Sequence, residues 1–160
     1  MQNLKSITKP LVILLVEDEP THADLIMHGL HNLKVENVVY HVSDGDEALE
    51  YLRREGIYSA AETSPKPQVI LLDLRMTRVD GLEVLKAVKE SEDLCEIPIV
   101  VLTSSDAEKD IAAAYSLHTN SYLVKPVDFA DFGKLMDDLG FYWLGWNRCP
   151  LAIKTVLNGK

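Results

Sequence analysis

Five short runs of apolar residues punctuate the chain, at positions 11–16, 38–42, 69–72, 99–103 and 121–124. They are rich in Val, Ile and Leu and show little alternation with polar residues. Continuous apolar runs of this length match strands buried on both faces, as in a parallel sheet. Between them the period changes to that of a helix. Ala23, Ile26, Met27 and Leu30 recur on one helical face. Asp44 with Glu47, Asp80 with Glu83 and Ser105 with Glu108 repeat the spacing of a capping box at three helix starts. Asp128 opens a last helix whose apolar face reads Phe129, Phe132, Met136, Leu139 and Trp143.

The order is strand then helix, five times over. Alternating units of this kind predict an α/β fold: a (βα)5 doubly wound, five-stranded parallel sheet with helices on both faces, strand order 2-1-3-4-5, the flavodoxin-like arrangement. Two stretches depart from the pattern. Residues 56–67 form a long connection carrying Ser59, Ser64, Pro65 and Pro67, and residues 145–160 show no clear period. The reading is a leader at 1–10, one domain at 11–144 and a tail at 145–160.

Composition agrees with one globular domain: 160 residues, 47% hydrophobic and 26% charged, with a net charge of −9. Such acidity disfavours phosphate backbones and anionic membrane surfaces as partners, because both draw on clustered Lys and Arg. Cys95 and Cys149 form no CxxC or zinc pattern, nothing calls for a disulfide, and no apolar run reaches the length of a membrane span. The expected setting is the cytoplasm. The five histidines give no convincing ligand pair, and Trp143 and Trp146 read as core or interface anchors rather than a cofactor box.

The chemistry lies where strands end. The first run leads into Glu17, Asp18 and Glu19, and the third ends on Asp73. In a doubly wound sheet with this order, strands one and three are neighbours at the switch point, so Glu17, Asp18 and Asp73 converge beyond their carboxyl ends. Two carboxylates about 4 Å apart repel by roughly 4 kcal/mol at an effective dielectric of 20. Such a group takes up protons or a cation, and an incomplete cage of oxygen ligands suits Mg²⁺. Thr103 and Lys125 close strands four and five on the same rim. A hydroxyl and an ammonium beside a metal-bound carboxylate form a site for a phosphoryl group, and a carboxylate is itself a competent nucleophile for one.

These residues resemble the receiver domain of bacterial response regulators. The resemblance rests on Leu15 through Asp18, on Leu71 through Met76 with Asp80 and Gly81, on Val101 through Ser104, and on Tyr122 through Pro126. It extends from about Leu11 to Trp143. It implies that Asp73 accepts a phosphoryl group from a phosphohistidine of a sensor histidine kinase. It further implies that Asp18, Asp73 and the backbone carbonyl of Arg75 bind Mg²⁺, with Glu17 acting through water. Lys125 would pair with the phosphoryl group, and Thr103 and Tyr122 would act as the switch. On this reading the chain is a signalling phosphoacceptor that catalyses only its own phosphorylation and dephosphorylation. The resemblance also implies a cis peptide between Lys125 and Pro126.

The long connection before Pro67, the stretch from Ala114 to Tyr122 and the run Phe141 to Leu144 look like small stand-alone regulators paired with phytochrome-type histidine kinases, which often dimerise through the face made by the fourth helix, fifth strand and fifth helix. The chain departs from the family at Glu17, where Asp is commoner, at Thr77 for a frequent Pro and at Ser104 for a frequent Ala. Two other classes compete. An aspartate-nucleophile phosphatase needs a second Asp two residues after the nucleophile, where this chain has Arg75. A binding module that keeps only the scaffold has no need of Asp18, Asp73, Thr103 and Lys125 together. Neither a GxGxxG nor a GxxxxGK[ST] loop is present.

Overall fold

The computed structural model describes residues 9–148. Strands β1 (Leu11–Val16), β2 (Asn37–Val42), β3 (Val69–Leu72), β4 (Ile99–Thr103) and β5 (Ser121–Val124) alternate with helices α1 (Pro20–His31), α2 (Gly45–Arg53), α3 (Gly81–Glu90), α4 (Glu108–Ser116) and α5 (Phe129–Leu139). The strands are all parallel, in the order β2-β1-β3-β4-β5. The expected fold class and strand order are therefore observed.

Successive residues of a strand point to opposite faces, and in β1, β3 and β4 both faces are apolar and covered. Leu14, Val16, Ile70, Leu72, Ile99 and Val101 face one core, closed by Tyr51 of α2, Val84, Leu85 and Val88 of α3, and Ala114 of α4. Ile13, Leu15, Val69, Leu71, Val100 and Leu102 face the other, closed by Ala23, Ile26 and Leu30 of α1 and by Phe132, Met136 and Leu139 of α5. The edge strands β2 and β5 are only partly buried. This double coverage is why the strand runs lack polar alternation.

The caps follow local chemistry with one exception. Asp44 Oδ1 accepts from Glu47 N at 2.8 Å, Asp80 Oδ1 from Leu82 N at 3.0 Å, and Asp128 Oδ1 from Ala130 N at 2.8 Å. Ser105 does not cap α4. The helix starts later, behind Ala107, whose side chain makes no capping bond, and the Ser105 hydroxyl instead donates to Asp110 Oδ2. The same hydroxyl oxygen accepts from Ala107 N at 3.3 Å, a bond that lies before the first helical residue.

Two further expectations are corrected, on Phe129 and on the Lys125–Pro126 peptide. Phe129 is 71% exposed and does not join the α5 core face; it is the first helical residue and precedes the stripe that meets the sheet. The long connection 56–67 carries a 3-10 turn at Gly56–Tyr58 and is tied down: the Tyr51 hydroxyl donates to Pro65 O at 2.7 Å, and Ser64 is buried. A π-helical turn, Gly140–Trp146, continues α5 into the first residues assigned to the tail, because Leu144 is drawn into the α1/α5 core. Finally, the Lys125–Pro126 peptide is trans, as is every peptide among the described residues; trans is the lower-energy isomer by about 0.5–1 kcal/mol even before proline. Trp143 packs partly against the core while Trp146 is 70% exposed. The rest of the leader and tail, with Cys149, lies outside the described residues.

Candidate functional site at the carboxyl edge of the sheet

Parallel strands end on one rim, and the topology sets β1 beside β3, β3 beside β4 and β4 beside β5 there. The register pairs Val16 with Leu72 and Thr103 with Val124. The residues that follow, Glu17, Asp18, Asp73 and Lys125, therefore emerge side by side. One carboxylate oxygen each from Glu17, Asp18 and Asp73 lies within 4.8 Å of the other two. Gly81 permits this approach from the α3 side: a Cβ there would collide with the backbone of Asp73 and Leu74.

Lys125 reaches the cluster from β5. Its Nζ donates to Glu17 Oε2 at 2.5 Å and to Asp73 Oδ2 at 3.2 Å, and all three residues are buried. Burial pushes the Glu17 carboxyl up to about 7, opposed by the hydrogen bond from Lys125 and reinforced by the negative charge of Asp73. Glu17 Oε1 also accepts from Glu19 N at 3.1 Å. Thr103 is fully buried at the end of β4, where its carbonyl accepts from Lys125 N at 2.7 Å.

Arg75 splits between two tasks. Its N–H donates to Asp73 Oδ1 at 3.2 Å, while its guanidinium leaves the cluster and pairs with Asp110 Oδ2 of α4 at 2.5 Å. That oxygen also accepts from the Ser105 hydroxyl at 2.5 Å. The Ser105 hydroxyl, and secondarily Arg75, hold the Asp110 carboxyl below the usual carboxylate range. Tyr122 joins the same network, its hydroxyl donating to Ser105 O at 2.8 Å, and burial raises that phenol.

All the residues named from the sequence thus stand on this rim, with Tyr122 connected through Ser105 rather than directly. Three neighbours are not legible in the sequence. His22 of α1 lies with Nδ1 3.2 Å from Lys125 Nζ; an ammonium only donates, so Nδ1 accepts. His41 of β2 bonds through Nε2 to Glu17 O at 2.8 Å. Asp110 meets Arg75 across 35 residues of chain. Only a capping-box-like spacing marks the neighbourhood of Asp110, and it indicates a different bond.

The donor set fits a hard divalent cation, because three carboxylates supply charge and oxygen lone pairs. Lys125 already offsets part of that charge. No helix among the described residues is long and apolar enough to cross a membrane.

Comparison with known proteins agrees with this geometry. Residues 13–137 match the response regulator receiver domain. The chain is 46% identical over 141 residues to the probable methanogenesis regulatory protein FilR2 of Methanothrix harundinacea, covering 88% of each. It resembles the Mn²⁺-bound form of response regulator Rcp1 of Synechocystis with 39% identity and a TM-score of 0.83, covering 88% of this chain and 99% of that one. The phosphorylated cyanobacterial phytochrome response regulator RcpA is similar at 38% identity and a TM-score of 0.84, over 89% and 99% of the two chains. With the carboxylates, the lysine and the sheet order all in place, the chain belongs to the response regulator receiver domain family and is a two-component signalling protein.

Proposed function

We propose that Asp73 is the phosphoacceptor and that a sensor histidine kinase of the phytochrome type is the donor. The observation that carries this is the placement of Asp73 Oδ2 3.2 Å from Lys125 Nζ, inside a cluster with Glu17 and Asp18. The Asp73 carboxylate oxygen attacks the phosphorus of a phosphohistidine. The P–N bond breaks, its electron pair passes to the imidazole nitrogen, and an acyl phosphate forms on Asp73. Lys125 neutralises one phosphoryl oxygen and Thr103 supplies a hydroxyl donor from the end of β4. Asp18, Asp73 and the Arg75 carbonyl hold Mg²⁺, with Glu17 acting through water. When bound, the ion supplies neutralisation of the remaining phosphoryl charge.

Thr103 and Tyr122 carry the switch. Tyr122 is tied to the β4–α4 connection through Ser105 O, so movement of Thr103 toward a phosphoryl group disturbs the segment that holds the tyrosine. The receiver is the unit 11–144, it acts in the cytoplasm, and it catalyses only its own phosphorylation and dephosphorylation. A homodimer through the α4-β5-α5 face is supported by Tyr115, Val124 and Phe129, which expose apolar surface from these three elements.

The test is intact mass after incubation with acetyl phosphate and Mg²⁺. A hydroxylamine-labile phosphoryl adduct is expected on the native chain and absent from Asp73→Asn. An adduct of equal yield on Asp73→Asn would reject Asp73 as the acceptor. Sedimentation of the two forms then reads out the dimer.

A further inference from the structure

The polar network at the rim contains a bond that acceptance of a phosphoryl group does not require. Arg75 lies two residues beyond Asp73, with its backbone N–H on the Asp73 carboxylate. Its side chain nevertheless turns to the opposite wall and pairs with Asp110 on the first turn of α4. The Arg75 side chain is 61% exposed, whereas that of Asp110 is 14% exposed and also held by the Ser105 hydroxyl on the same oxygen. The carbonyl of Ser105 in turn receives the Tyr122 hydroxyl, and the Ser105 N–H faces Thr103 Oγ1 at 3.5 Å. One carboxylate thus joins the connection after β3 to the start of α4 and, through Ser105, to Thr103 and Tyr122.

Resting on the assignment of Asp73 as phosphoacceptor, we propose that Asp110 is a positioning residue that latches Arg75 away from the acyl-phosphate site. Phosphorylation of Asp73 draws Arg75 off Asp110 and releases the first turn of α4. A phosphoryl group is a stronger partner for Arg75 than a single carboxylate, because it offers more acceptor oxygens and more charge to the planar guanidinium. Arg75 cannot serve both partners. The latch therefore reduces the affinity of the site for a phosphoryl group in proportion to the fraction of molecules in which Arg75 is free. By reciprocity, filling the site weakens the Arg75–Asp110 pair by the same factor. Asp110 then keeps the Ser105 hydroxyl but loses the guanidinium, and the first turn of α4, which has no side-chain cap of its own, loses its tie to the β3 side.

The probe is beryllium trifluoride, an acyl-phosphate mimic, titrated with Mg²⁺ present into the native chain, Asp73→Asn, Asp110→Asn, Asp110→Glu, Arg75→Ala and the Arg75→Ala/Asp110→Asn pair. Asp110→Asn keeps an acceptor for Ser105 and removes the charge that holds Arg75. It is expected to tighten binding about fivefold. Asp110→Glu restores the native value, and Asp110→Asn has no effect once Arg75 is Ala. Amide exchange over Glu108–Ser116 is expected to rise on adding the mimic to the native chain and to be high beforehand in Asp110→Asn. Equal affinity of the native chain and Asp110→Asn overturns the latch, as does equal tightening in the Arg75→Ala background. Binding that persists in Asp73→Asn overturns the phosphoacceptor assignment as well, so the two failures are distinguishable.

Discussion

Lys125 Nζ and Glu17 Oε2 form a buried ion pair 2.5 Å long across the carboxyl edge of the sheet, although 108 residues separate them in the chain. Asp73 shares the same ammonium. A buried cation between two carboxylates stabilises chiefly by preventing worse: removing it leaves like charges facing each other in a medium that screens them poorly.

Lys125→Met keeps the volume and removes the charge. In the absence of metal it is expected to lose about 3 kcal/mol of stability in urea unfolding. Mg²⁺ is expected to recover much of this loss, because it replaces the missing positive charge. The variant is also expected to take up phosphoryl from acetyl phosphate without the accompanying change in α4 amide exchange. An unchanged response would remove Lys125 from the coupling.

Magnesium binding is expected to depend on pH in a definite direction. The Glu17 carboxyl is raised from 4.5 to about 7 in the fold. Its contribution to stability is therefore complete below about 4.5 and is lost as pH rises through about 7. A cation reverses this by favouring the ionised form. The rise in melting temperature on adding Mg²⁺ should be larger at pH 8 than at pH 6. Glu17→Gln should flatten the difference.

Alkali should weaken the α2 side of the core. The Tyr58 phenol is pushed up to about 12 by burial, and by its hydrogen bond to Glu47 Oε1. The neutral phenol is the form the fold prefers. Its stabilisation is complete below about pH 10 and disappears as pH rises through about 12. Tyr51, whose ring is tilted against that of Tyr58 with centroids 5.3 Å apart, is raised in the same direction by burial. Melting temperatures at pH 9 and pH 11.5 should differ less for Tyr58→Phe than for the native chain.

Gly81→Ala places a methyl group against the backbone of Asp73 and Leu74, where rigid atoms cannot yield. The expected cost is about 2 kcal/mol by chemical denaturation, with a lower yield of acyl phosphate because the loop bearing Asp73 is displaced. Gly133→Ala has open space around the new Cβ and serves as the comparison; it should be tolerated.

Much of this protein is legible in its amino-acid sequence. The apolar runs at 11–16, 69–72 and 99–103 bound their strands to the residue, because a strand covered on both faces must be largely apolar and polar residues appear as it leaves the core. Glu17, Asp18, Asp73, Thr103 and Lys125 are legible for the same reason, since each sits at or just past a strand end and the strand order that juxtaposes them follows from the βα repeat. Local chemistry also identifies Asp44, Asp80 and Asp128 as caps. What only the tertiary structure decides is how side chains from distant segments divide their partners. Asp110 gathers both Ser105 and Arg75, Arg75 turns from Asp73 to α4, His22 comes to Lys125, and Phe129 falls outside the core. Periodicity reports which face of an element is buried, whereas a polar side chain takes the strongest partner within reach, and reach is a property of the folded chain.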